Sequence, residues 1–271
     1  MEKKPSLLVP GGHPAAMNRL IKRIGESLIG MIFRGRFRGF DNADVALRYL
    51  PIAEEILRGG MPSPSILEVG SGVTGITPFL PYPITGADVS FAGEVSDRLR
   101  PVPLSGPDLP FGDETFDYVI SVDMLEHAKP ADRPRFVSEM IRVARREVIL
   151  AVPCGRLSEA QDRELDEYFF RKRGERYGFL AEHVENGLPT EEEILSWMAA
   201  APGARDPKRD VAVRWNVNLK VRNLYMKVWI IPGMYPFFLL LSLVLCMLGR
   251  RLDRGECYRR IFFLLVRKAD A

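Results

Sequence analysis

The stretch "ILEVGSGVTG", residues 66–75, sets Gly70, Gly72 and Gly75 at G-x-G-x-x-G spacing directly behind a short apolar run. Glycine permits a tight turn and a close approach of backbone to ligand, which is how such turns receive dinucleotides. A second run, "ITGADVS", carries Asp88, roughly where an acid that accepts from ribose hydroxyls belongs. Glycines of this kind also simply end strands. Together the turn and the acid point to an adenosine-type ligand, without choosing between a nicotinamide cofactor and S-adenosylmethionine.

Proton-transfer chemistry has three candidates: Asp123 at the end of "FDYVISVD", His127 shortly after it, and His183 in "EHVENGLP". Imidazole titrates near neutrality, so a positioned histidine can take a proton from a hydroxyl acceptor. The plainer alternatives are a helix-capping or structural role for His127 and simple exposure for His183. Cys154, Cys246 and Cys257 are widely spaced and odd in number, which suggests neither a disulfide framework nor a zinc site and fits a reducing cytosol. Cys154 is expected to pack or to line the pocket. No catalytic metal cluster stands out in the sequence.

The elements that must hold these residues alternate in type. Strands are expected at Ile66–Val69, "ITGADVS", "PVPL", "FDYVISVD" and "EVILAVP", with helices at "FAGEVSDRLR" and "RPRFVSEMIRVAR". That rhythm implies right-handed crossovers and a parallel sheet covered on both faces, with ligands beyond the carboxyl ends of the strands. Residues 155–189 are dense in charge and broken by aromatics; they read as an insertion after the fifth strand, either a lid or a solvated helical face. "PTEEEILSWMAAAPG" predicts a helix with a Thr190–Glu193 capping box and a stop at Gly203. "DVAVRWNV" and "CYRRIFFLLVRK" complete a set of seven strands.

At 271 residues and 46% hydrophobic, the chain is globular, with one good core and insertions or two small domains. The net charge of +3 hides an asymmetry: residues 1–40 hold eight Lys or Arg against Glu2 and Glu26. Met17, Leu20, Ile21, Ile24, Leu28, Met31 and Ile32 recur there at helical spacing. A basic amphipathic helix follows, packed on the domain or docked on an anionic membrane surface. "DNADVALRYLPIAEEILRGG" predicts a second helix, so residues 1–62 form an N-terminal arm and 63–271 the main domain. Nucleic acid is disfavoured as a partner, because these basic residues cluster in an apolar-striped arm.

Residues 228–248, "VWIIPGMYPFFLLLSLVLCML", carry no charge, which makes the segment a membrane candidate by length. Pro232, Gly233 and Pro236 leave Phe237–Leu248 as the clean helix, about 18 Å at 1.5 Å per residue. That is short of a ~30 Å hydrocarbon core. If a last strand follows, the chain must also return to the same side. Residues 224–250 are therefore read as an insertion that dips into the cytoplasmic leaflet, against the alternative of a helix buried in a core or dimer interface.

The most specific stretch is "DLPFGDETFDYVISVDMLEH", residues 108–127. With "LEVGSGVTG", "GADVS" and the terminal "YRRIFFLLVRK", it resembles the class I S-adenosylmethionine-dependent methyltransferases, in particular the type-11 group. The resemblance implies a Rossmann-like, seven-stranded, mostly parallel α/β sheet with S-adenosylmethionine as cofactor. It assigns Glu68 and the Gly70–Ser71–Gly72 turn, with Gly75, to the methionine moiety. Asp88 with Val89 is assigned to the ribose, and Asp108, Leu109 and Asp123 to the remaining contacts. Ser105 stands where the group usually has an acid near the adenine amino group. The reading that follows is a methyltransferase, cytoplasmic and peripheral or monotopic at the inner membrane face. Its acceptor is an amphipathic or lipid-linked small molecule. A soluble small-molecule O-methyltransferase, a nicotinamide-dependent oxidoreductase and a non-catalytic membrane-associated module are the alternatives; the oligomeric state stays open.

Overall fold

The computed structural model describes residues 42–202 and 211–266. The basic arm before Asn42 and the expected stop at Gly203 lie outside the described residues. In chain order the elements are α1 (Ala43–Arg58), β1 (Ile66–Val69), β2 (Ile84–Asp88), β3 (Leu99–Pro103), β4 (Phe116–Val122), α2 (Arg133–Val143), β5 (Ala144–Pro153) and α3 (Arg156–Arg173). After these come α4 (Gly178–Asn186), α5 (Glu191–Ala200), β6 (Val211–Asn218), α6 (Leu219–Ile230), α7 (Tyr235–Leu248), a 3₁₀ turn (Gly249–Leu252) and β7 (Cys257–Leu265).

The seven strands lie in the order β3-β2-β1-β4-β5-β7-β6. β1 to β5 run parallel, and β7 runs antiparallel between β5 and β6. The pleat sends alternate residues to opposite faces. Leu67, Val69 and Val119 meet Phe136, Val137 and Met140 of α2 and Ile194 and Met198 of α5. Ile66, Ile120 and Val122 meet Tyr49, Ile52 and Ile56 of α1. Every residue of β4 is buried, as expected for a strand covered on both sides.

Three helix termini follow simple rules. Asn42 caps α1 by accepting from Asp44 N and Val45 N, and Thr190 and Glu193 form the expected capping box of α5. α5 stops at Ala200, with extended Ala201 before Pro202, since a residue before proline is driven out of the helical region.

One expected element is corrected. "FAGEVSDRLR" forms no helix; residues 91–98 run as bends and turns into β3. Gly93 takes φ +123°, a conformation no helix accepts, and Phe91 and Val95 suffice to pack this segment on the α1 side. The β1–β2 connection is likewise helix-free, and Ile76 and Leu80 of its turns cover that face in a helix's place. Residues 155–189 are a helical pair, α3 and α4, and the apolar segment sits as α6 and α7 between β6 and β7, the position expected for it.

Candidate functional site

The glycine turn leaves β1 at its carboxyl end. Gly70 holds φ +82°, and a Cβ there would fall 2.5 Å from the Met124 side chain, so this glycine permits packing against the loop after β4. Gly72 holds φ +55° with nothing within 4 Å of a Cβ; it is the point where the turn opens outward. Ser71 is buried and donates to the Gly72 carbonyl at 3.0 Å. The position of Gly75 is filled by the Glu68 carboxylate, 2.3 Å from where its Cβ would be. Asp88 fixes the turn from β2, its Oδ2 accepting from Gly72 N at 2.7 Å and its Oδ1 from Ser90 N at 3.1 Å. Each carboxylate oxygen has a second lone pair, so Asp88 retains the capacity to accept from a diol. Val89 beside it is 59% exposed.

Glu68 is fully buried below the turn. Its oxygens accept from Tyr49 Oη and Ile76 N, both at 2.7 Å. Burial pushes its carboxyl up to about 7, against the two hydrogen bonds that favour the charged form. Its carboxylate thus joins α1 to the glycine turn. Leu109 is buried, its N–H donating to Glu139 Oε2 at 3.1 Å. Asp108 is exposed and accepts from Arg135 Nε at 2.8 Å.

Asp123 follows β4 directly, with φ +48°. Arg259 of β7 binds both its oxygens at 2.7 and 2.8 Å, and Arg48 of α1 reaches Oδ2 at 2.9 Å. Against the cost of burial, Arg259 and then Arg48 hold this carboxyl far below the usual range. A carboxylate so stabilised is a poor proton acceptor. The expectation of Asp123 as a base is therefore corrected: it is the anchor of an ion network that Asp44 completes through Arg259 at 2.8 Å.

The two histidines come together. His127 Nε2 and His183 Nε2 lie 3.4 Å apart. Each Nδ1 faces a carboxylate at 2.8 Å: His127 that of Glu182 and His183 that of Asp162. Asp162 also accepts from Tyr258 Oη at 2.7 Å and pairs with Arg222 at 2.8 Å. His183 is buried while His127 is partly exposed, so His127 presents the accessible imidazole. Burial, and next the charge of His183, lowers its pKa against the pull of Glu182. The neutral ring, which is the base form, is favoured.

Sequence reasoning missed the residue that brings the histidines together. Arg133, at the start of α2, is buried and donates to Leu125 O at 2.9 Å and Gly187 O at 2.7 Å. It thereby clips the loop holding His127 to the end of the helix holding His183. Arginine in the first turn of an amphipathic helix reads as surface, so no local signal marked it. Cys154 is buried beside β5, and burial pushes its thiol up to about 12, so it packs as a small apolar group.

The arrangement leaves an open glycine turn beside a carboxylate with lone pairs to spare, and about the same rim a paired, partly exposed imidazole. Residues 67–152 match the model of a methyltransferase domain family. No curated protein matches the chain. Among solved structures it is similar to the geranyl diphosphate C-methyltransferase of Streptomyces coelicolor, at 13% identity and a TM-score of 0.48, over 80% of this chain and 76% of that one. It is also similar to phosphoethanolamine N-methyltransferase 2 of Haemonchus contortus, at 17% identity and a TM-score of 0.47, over 80% of this chain and 53% of that one. The YcgJ protein of Bacillus subtilis gives 14% identity and a TM-score of 0.46, over 81% and 99% of the two chains.

Proposed function

Because the chain carries a class I S-adenosylmethionine-dependent methyltransferase domain, we propose that it methylates an amphipathic or lipid-linked acceptor at the cytoplasmic face of the membrane. The observation that carries the location is α7. Phe237, Leu240, Val244, Met247 and Leu248 are exposed and recur at helical spacing, which makes one continuous apolar stripe. After Gly249 come Arg250, which pairs with Glu54, and the exposed Arg251, a basic end that suits an interface with anionic lipid.

Strand direction supports a position of this stripe close to the carboxyl-end rim of the sheet. β6 is antiparallel to β7, which is antiparallel to β5, so β6 points the same way as the parallel strands and ends at the ligand-binding rim. The chain leaves the sheet at Asn218 and re-enters at Cys257, its partner in register. Residues 219–256 are therefore an excursion from that rim and back. The apolar helical stretch Tyr235–Leu252 spans 18 residues, about 27 Å at 1.5 Å per residue, but a segment anchored at both ends to one rim dips into a leaflet instead of crossing it.

S-adenosylmethionine supplies a methyl group already activated on a sulfonium, so the protein mainly aligns donor and acceptor and excludes water. The Gly70–Gly72 turn and Asp88 would hold the cofactor, Asp88 through the ribose hydroxyls. His127, neutral and oriented by Glu182, would take the acceptor proton at Nε2. Asp123 keeps the loop in place through its two arginines.

The test feeds methyl-labelled S-adenosylmethionine and the protein to a membrane lipid extract and to a water-soluble extract, alongside flotation with anionic vesicles. Label in the lipid fraction with a floating protein is expected. Label confined to water-soluble products, with protein left at the bottom of the gradient, refutes the membrane-face reading.

A further inference from the structure

We propose that Glu126, His127 and His183 form a binding site for one divalent transition-metal ion of the zinc class. Their donor atoms all lie within 4.8 Å of one another, although sequence places two of them beside β4 and the third some 56 residues on, in α4.

Three features of the cluster point to a cation. The first is the orientation of the rings. Each Nδ1 lies 2.8 Å from a carboxylate oxygen, so each ring keeps its proton on Nδ1 and turns a bare Nε2 lone pair inward. Two such lone pairs 3.4 Å apart repel unless a proton or a metal ion lies between them. The separation matches the edge of a tetrahedron with zinc–nitrogen bonds of about 2.0–2.1 Å, which is about 3.4 Å. The second is the surrounding carboxylates: Asp162 behind His183 and Glu182 behind His127 reproduce the carboxylate–histidine–metal pattern that fixes the tautomer and strengthens the ligand.

The third is Glu126. It is fully buried, and apart from its own backbone neither carboxylate oxygen finds a hydrogen-bond partner. Its Oε1 stands 4.0 Å from His183 Nε2. A buried carboxylate with free lone pairs is costly on its own and is the hard ligand that completes a two-histidine, one-carboxylate set. Closing donor separations that lie within 4.8 Å to tetrahedral edges of about 3.4 Å brings it into range.

A three-ligand set of this kind keeps a coordination position open. Only His127 of the three is appreciably exposed, its side chain at 24%, so the open position faces out past His127 and Phe179, whose ring stands edge-on to it at 5.2 Å. A hydroxyl or other oxygen donor of the acceptor fits there, bound directly to the ion, which would lower its pKa; with the ion bound, His127 Nε2 serves as ligand and the ion takes over from it the activation of the acceptor. That use rests on the methyltransferase reading; the metal site itself does not.

The experiment strips the full-length protein with a chelator, then titrates Co2+ while recording its visible absorption, and measures Zn2+ by calorimetric competition. No methyl donor is present, so failure here is separate from failure of the methyltransferase reading. One equivalent of Co2+ with intense ligand-field bands is expected. His127→Ala and Glu126→Gln should each weaken binding at least tenfold, while His13→Ala leaves it unchanged. His127→Ala changes the most exposed ligand and so is the variant that keeps its fold, which far-UV circular dichroism checks. No bands in the folded wild type, or binding that survives His127→Ala and disappears in His13→Ala, overturns the proposal.

Discussion

Replacing Glu68 by glutamine should flatten the dependence of stability on pH. The carboxyl is fully buried and titrates near 7, not near its ordinary 4.5. Between those values the folded state holds a proton that the unfolded chain has released, so wild-type stability falls as pH rises from 4.5 to 7 and levels above it. Integrated from pH 5 to pH 8, one such group costs about 2.5 kcal/mol, at about 1.4 kcal/mol per pH unit. Glutamine is nearly isosteric: its carbonyl accepts from Ile76 N, and its amide can donate to the Tyr49 oxygen that now faces Glu68. Urea unfolding without cofactor, followed at pH 5, 6, 7 and 8, gives the difference between the two proteins at each pH. Taking that difference cancels other shifted groups, including Glu147, which burial also raises to about 7. The variant should gain about 2.5 kcal/mol on the wild type between pH 5 and 8. Profiles that stay parallel within about 0.5 kcal/mol would refute the claim that this carboxyl is desolvated.

Asp88→Ala should weaken S-adenosylmethionine binding at least tenfold, about 1.4 kcal/mol, in calorimetric titration; unchanged affinity would remove Asp88 from the cofactor site. Two glycine variants separate fold from binding. Gly72→Ala, at φ +55° with open space around it, should cost about 1–2 kcal/mol and act mainly on cofactor affinity, whereas Gly70→Ala, which also drives a Cβ to 2.5 Å from Met124, should lose about 1–3 kcal/mol more than that. Equal loss of stability in both, by thermal denaturation, would contradict the geometry. Arg259→Leu leaves Asp123 and Asp44 without their shared partner and should cost about 3–5 kcal/mol; a loss under 1 kcal/mol in urea unfolding would show the network to be dispensable.

What could be read from sequence was what local pattern decides. β4 and β5 are long apolar runs and needed no partner to be recognised, and the Thr190 capping box is four residues of chemistry. The helix expected at "FAGEVSDRLR" failed because a few apolar positions satisfy a helical period by chance, while one glycine at φ +123° decides the backbone. The glycine turn and Asp88 were legible because a glycine-rich turn behind a strand has a signature, and the structure joins the two through the Gly72 N–H. The pairing of His127 with His183 was not, since it depends on Arg133 reaching two carbonyls 62 residues apart in sequence, Leu125 O and Gly187 O. Nor does any sequence pattern tell that Asp123 will be neutralised from α1 and β7 at once.

The excursion between Asn218 and Cys257 has its ends paired across neighbouring strands, so a short turn could join them and leave an ordinary β-hairpin. Such a trimmed protein would nevertheless be miswired. α6 carries Arg222, whose guanidinium pairs with Asp162 at 2.8 Å and lies over the Tyr258 ring, and Asp162 in turn orients His183. Deletion would leave that buried aspartate with the Tyr258 hydroxyl and the His183 ring as donors but with its main countercharge gone. A workable truncation must therefore carry Asp162→Asn along with it. The excursion after β6 and the imidazole pair are in that sense a single electrostatic unit, in which a helix far along the chain supplies the countercharge that keeps Asp162 in place beside His183.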